Sequence, residues 1–203
     1  PDVSPVTEDA PLRPISPYGE TKRAFEGALA WYAGAYSLRS ISLRYFNVAG
    51  ASELVGEVHR PETHLVPNVL RAAETGEPVT VFGDDYSTPD GTPIRDYIDV
   101  ADLADAHLRA LDATASGTGA DVLNLGTETG FSVRAVLRAA ESVVGRPIPH
   151  VVGPRREGDP PVLVASAARA REALGWRPRR STLETMIGAA WAWRRSHPEG
   201  YGD

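Results

Sequence analysis

Tyr18 and Lys22 stand four residues apart in the segment SPYGETK, a spacing that places both side chains on one face of a helix. A nearby ammonium favours the phenolate form of a tyrosine, and a phenolate can act as general base toward a sugar hydroxyl. The pair alone decides little, because a tyrosine one turn before a lysine more often packs in a core while the lysine stem covers surface. Its company carries more. SLRYFNVAGA follows about one strand later, and PIRDYIDVADLADAH and PRREGD come in that order further on.

Elements that can position these residues are legible around them. Ser16 caps a helix with Pro17 at its first position, running to about Tyr36, with Phe25, Leu29, Trp31, Tyr32 and Tyr36 as its apolar stripe. Residues 40–46 (SISLRYF) and 79–83 (VTVFG) read as strands, with a helix closed by Gly76 between them. Residues 84–94 carry Pro and an Asp-Gly pair and read as a loop, before RDYIDV returns to strand character. A helix over 101–113, a buried strand at 122–126 and a helix capped by Ser132 come next. A strand near VLVAS, a helix at ARAREALG and a final helix around LETMIGAAWAWRRS complete the series. Strands alternate with helices, as in α/β proteins.

With 203 residues and 42% hydrophobic content, the chain is long enough for one domain with a sizeable core, or for one and a half smaller units. The balance of 27 acidic against 21 basic residues, with basic residues in nothing longer than pairs, makes nucleic acid a poor candidate partner. There is no cysteine, and the five histidines (His59, His64, His107, His150, His197) show no paired ligand spacing, so no metal is expected. A reducing cytoplasm fits the lack of cysteine, and no apolar run is long enough for a membrane helix. The sequence starts at Pro1 with a run of turn-forming residues and reads as the middle of something longer.

The four ordered motifs resemble the UDP-glucose 4-epimerases of the extended short-chain dehydrogenase/reductase family along essentially the whole chain, including the tryptophan-rich last helix and the tail HPEGYGD. The resemblance implies the C-terminal part of a doubly wound Rossmann-type sheet plus a smaller α/β substrate-binding domain. Residues 1–50, with interleaved segments near 95–126, would belong to the NAD-binding part, and 51–203 mainly to the UDP-sugar domain. It also implies that Tyr18 is the catalytic tyrosine, acting on the hexose 4-hydroxyl. Lys22 would hold the nicotinamide ribose of NAD, and Phe46 would lie against the nicotinamide. Asn47 would bond the substrate, His64 and Leu65 would line the sugar and diphosphate, and backbone groups at Thr80 and Phe82 would meet the uracil. Arg95 and Arg156 would hold the phosphates and Asp159 the uridine ribose, roles suited to cationic forks and to a carboxylate facing two hydroxyls. Leu163 would gate the sugar pocket, its intermediate size leaning toward plain hexoses.

Without the motifs these residues read more blandly. An arginine beside Asp96 or Glu157 is ordinarily a surface ion pair of little energetic worth, and VLVA an ordinary apolar strand. A glycine-rich strand-turn-helix fingerprint for a dinucleotide pyrophosphate does not occur in the sequence. The resemblance therefore implies that somewhat more than a third of a typical member lies outside it. Two readings stay open: an NAD-dependent epimerase, or a chain that keeps only part of a nucleotide-sugar pocket or an assembly surface. Pentose, uronic acid or N-acetylhexosamine epimerases are further possibilities. The resemblance implies a homodimer, for the full-length chain, formed through the helix carrying Tyr18 and Lys22 together with a neighbouring helix that this sequence does not contain.

Overall fold

The computed structural model describes residues 4–117 and 119–201. In chain order the elements are α1 (Pro17–Tyr36), β1 (Ser40–Tyr45), β2 (Asn47–Ala49), α2 (Leu65–Thr75), β3 (Val79–Phe82), β4 (Ile94–Arg95), β5 (Tyr97–Asp99) and α3 (Val100–Ser116). They continue with β6 (Ala120–Leu125), β7 (Phe131–Ser132), α4 (Val133–Val144), β8 (His150–Gly153), β9 (Val162–Leu163), α5 (Ala168–Leu174) and α6 (Leu183–Ser196). The pairs β1–β6, β2–β5, β3–β8 and β4–β9 are parallel, and β4–β7 is antiparallel. Parallel pairing needs a crossover rather than a hairpin, and the intervening helices supply it, so the fold is α/β as expected.

Local chemistry sets most helix ends. The Ser16 hydroxyl accepts a hydrogen bond from the Gly19 amide at 3.1 Å, with Pro17 at the first helical position. Gly76 and Gly145 close α2 and α4 in the left-handed conformation, which glycine adopts without a Cβ penalty. Ser132 caps α4 by accepting from the Ala135 amide.

Two cores form. One gathers α2, α4 and α6 around Val81 and Tyr97, with Leu70, Val136, Met186 and Ile187 enclosed. The other packs Ile98, Leu103, Leu123 and Leu125 with Ala170 and Trp176, joining β1, β5 and β6 to α3 and α5. A buried carboxylate stitches the second core to the first. Asp102 of α3 accepts from the amides of Arg179 and Arg180 and from the Ser181 hydroxyl, just before α6 begins.

Several expectations need correction. The strand expected over 40–46 ends at Tyr45, and β2 then leaves β1's partner β6 to pair with β5. Only Val162–Leu163 of VLVAS form a strand, while Ala165 makes a single bridge to Val6. Strand β8 was not foreseen, because HVVG lies half outside the core and shows no alternation of burial. The apolar stripe on α1 covers no core: α1 has no buried residue, and Trp31 is 82% exposed.

Candidate functional site

A cavity of about 1120 Å³ opens between β1, β2, α2 and β3. Of the sequence-derived candidates, Tyr18, Phe46, Asn47, His64, Leu65, Thr80, Phe82, Arg95, Arg156 and Asp159 all line it. Lys22 and Leu163 do not. Lys22 nevertheless stays beside the tyrosine, its Nζ 5.2 Å from the Tyr18 ring centroid, as the one-turn spacing requires. Leu163 sits half-buried in β9, opposite Arg95 in the register.

The cationic end is built by the middle of the small three-stranded sheet. Arg95 of β4 lies between Phe131 of β7 and Leu163 of β9, which leaves its largely buried side chain to reach Asp159, with which it forms an ion pair. Asp159 and Arg156 come together through a turn in which the Asp159 amide donates to the Arg156 carbonyl and Gly158 takes a φ of 75°. The Arg156 guanidinium stands over the Phe82 ring. Arg95's ionic partner is thus not its neighbour Asp96, as a surface pair would have it.

Asp96 is a fully buried anchor that sequence reasoning missed. Its carboxylate accepts from the Thr127 amide and hydroxyl at 2.8 and 2.6 Å and from the Ala165 amide at 3.1 Å. Its carbonyl accepts from the Asn47 amide at 3.0 Å. One residue therefore fixes the places of both Arg95 and Asn47. Across β2 and β5, Asn47 lies opposite Tyr97, whose phenol is pushed up by burial, with hydrogen bonding to Asn47 opposing the shift.

The strand edge of β3 presents backbone groups. The Val79 amide donates to the Pro149 carbonyl and the Gly83 amide to the Gly153 carbonyl, so these odd-numbered residues face β8. Alternation along a strand then points the amide and carbonyl of Thr80 and Phe82 to the opposite edge, and both residues line the cavity. A planar ring with donors and acceptors along one side fits such an edge.

The wall formed by residues 56–64 was read only through His64. Here the five-residue interval between His59 and His64, with Pro61 inside it, does bring two imidazoles together, their centroids 5.0 Å apart. The expectation of unpaired histidines is corrected: Glu57 lies 3.2 Å from His59 and 2.6 Å from His64. Tyr201, from the tail after α6, anchors this wall by accepting from the Gly56 amide at 2.9 Å and donating to its carbonyl at 2.7 Å. Trp193 of α6 packs against the same glycine.

Taken together, a phenol with an adjacent ammonium lines the same cavity as two arginines, a carboxylate and a strand edge. Comparison with known proteins gives this arrangement relatives. The chain is 50% identical over 206 residues to UDP-glucose 4-epimerase of Lactobacillus helveticus, covering 100% of this chain and 62% of that protein. The crystal structure of a UDP-glucose 4-epimerase superposes with a TM-score of 0.95 at 48% identity, covering 100% of this chain and 62% of that one. The Bifidobacterium longum UDP-glucose 4-epimerase in complex with NAD+ and UDP superposes with a TM-score of 0.91 at 38% identity, covering 99% and 61%. The chain thus spans about three-fifths of the length of these relatives. The family model described as NAD dependent epimerase/dehydratase matches residues 1–126. The chain belongs to the NAD dependent epimerase/dehydratase family.

Proposed function

We propose that this chain carries the catalytic helix and the nucleotide-sugar cavity of an NAD-dependent epimerase that inverts C4 of a UDP-hexose, interconverting UDP-glucose and UDP-galactose. One observation carries the reading: Tyr18 lines the same cavity as Arg95, Arg156 and Asp159. The base and the groups that grip a nucleotide diphosphate thus face one ligand.

Tyr18 takes the proton of the 4-hydroxyl, and Lys22 puts a positive charge beside its ring. Bound NAD supplies the acceptor and donor for the C4 hydride. Loss of proton and hydride leaves a 4-ketose, whose other face must then be presented. Arg95 and Arg156 hold the diphosphate and Asp159 the ribose, so the sugar can turn while the nucleotide stays fixed. The β3 edge at Thr80 and Phe82 meets the uracil, and Asn47, His64 and Leu65 surround the sugar and diphosphate. Leu163, behind Arg95, sets the room available to the sugar through its neighbours rather than by touching it.

The residues fit the nicotinamide end of the cofactor. Phe46 and Tyr18 share the cavity wall, and Lys22 stands next to the tyrosine. A glycine-rich pyrophosphate loop does not occur in the sequence, so the rest of NAD would be held by residues outside it. Residues 1–50 with the segments near 95–126 form the cofactor side of this reading, and 51–203 mainly the substrate side. The protein would work as a cytoplasmic homodimer joined through α1.

A second reading, a nucleotide-sugar-binding or assembly chain without turnover, is favoured by the exposed aromatic side chains of α1, Phe25, Trp31 and Tyr36 among them. The two separate in one experiment on the purified protein. Conversion of UDP-galactose to UDP-glucose, abolished by Tyr18→Phe with UDP binding intact, is the expected result. UDP binding without conversion in the NAD-supplemented protein would leave a nucleotide-sugar-binding chain, and no UDP binding would overturn both of these and leave assembly alone.

A further inference from the structure

Between β2 and α2 the chain folds Glu57, His59, Glu62 and His64 onto one another. One ligand atom from each of Glu57, His59 and His64 lies within 4.8 Å of the other two. Glu57 Oε1 is 3.2 Å from Nε2 of His59 and 2.6 Å from Nδ1 of His64, so one carboxylate oxygen faces both rings. Burial pushes the Glu57 carboxyl up, against the pull of His64. Glu62 organises the backbone beneath them, its Oε1 accepting from the amides of Thr63 and His64 at 2.8 and 2.7 Å. From outside, Tyr201 clamps Gly56, the residue next to Glu57, through two hydrogen bonds.

Two imidazoles and a carboxylate form a borderline donor set, one that suits zinc-class ions better than magnesium or calcium, which prefer all-oxygen shells. Ligands at about 2.0–2.1 Å from a tetrahedral ion stand about 3.3 Å from one another, close to the 3.2 Å between Glu57 and His59, whereas the 2.6 Å between Glu57 and His64 has to open as the ion enters. Glu62 Oε1 also lies 3.1 Å from Nδ1 of His64, so the alternative is a plain ion-pair cluster, which would take up no metal. We propose that Glu57, His59 and His64 bind a divalent transition-metal ion of the zinc class on the wall of the cavity. The ion takes the place of the direct contacts that the two imidazoles make with Glu57. Three protein ligands leave a further position for water or for an anionic group entering the cavity.

The test titrates the full chain, stripped of metal, with Zn2+ alone by calorimetry, and repeats it with Co2+ followed by its d–d absorption. One saturable equivalent with a four-coordinate cobalt spectrum is expected. His59→Ala and Glu57→Gln should lose both signals with the circular dichroism unchanged, whereas His150→Ala, a remote exposed histidine, should keep them. Absence of a stoichiometric equivalent in the unaltered protein overturns the proposal whatever the variants do. So does retention of both signals in a folded His59→Ala protein, or their loss in His150→Ala. Because no turnover is read, failure here leaves the sugar-nucleotide reading standing.

Discussion

The guanidinium carbon of Arg156 lies 4.0 Å from the centroid of the Phe82 ring. The arginine is thus held by an aromatic face and keeps its donors for a ligand. A planar cation can stack in this way while offering a fork of N–H groups, and lysine cannot do both. Arg156→Lys should therefore weaken UDP binding nearly as much as Arg156→Ala, each by about 1.5–3 kcal/mol. Calorimetric titration with UDP checks this, and a lysine variant that binds like the unaltered protein would refute the stacking role.

Glycine is required at position 56 for space. A Cβ built there would overlap the Trp193 ring, which is buried. Gly56→Ala should cost about 1–3 kcal/mol of stability by forcing the ring or the loop to move. Thermal unfolding reads the loss, and Gly27→Ala, on an open face of α1, serves as the control that should not lower the melting temperature.

Asp102 accepts only; each of its oxygens faces N–H or O–H donors of residues 179–181. An amide in its place turns one acceptor into a donor among donors. Asp102→Asn should accordingly destabilise almost as strongly as Asp102→Ala, by about 3 kcal/mol or more. Urea unfolding of both variants measures it; a mild effect of the asparagine would show that the amide finds another partner.

Glu128 carries a pH signature. The Arg171 guanidinium beside it holds its carboxyl below the ordinary value of 4.5, with the Ala167 amide helping against burial. A depressed folded value means that the native state binds the proton less readily than the unfolded chain. The stabilisation is therefore complete above 4.5 and fades as pH falls through the depressed value. Glu128→Gln should be less stable than the unaltered protein at neutral pH, and the gap should close in acid. Stability curves by denaturant at a series of pH values test this, and a gap independent of pH would reject it.

How much of this was legible depended on whether the signal was local. Ser16 before Pro17, Gly76 and Ser132 mark helix ends because capping involves only near neighbours, and these ends fell where expected. Tyr18 and Lys22 meet because helical spacing alone brings them together. Partners distant in the chain were not legible. Asp96 looks like the counter-ion of Arg95 in sequence, yet it is consumed by Thr127 and Ala165, leaving Arg95 to Asp159. His59 and His64 lack the spacing of a helical ligand pair, and only the turn of the chain between them brings the rings together. Strand β8 is defined by its pairing with β3 rather than by any pattern of its own.

The bare outer face of α1 also sorts the tryptophans by environment. Trp31 stands almost wholly in water, Trp191 is half-buried, and Trp176 and Trp193 are enclosed, so the intrinsic emission of the chain should carry a red component, to which Trp31 contributes most, and a blue one. Anything that comes to rest on α1 must shift the first and spare the second, which makes Trp31 a built-in optical gauge of contact at the helix that bears the proposed base.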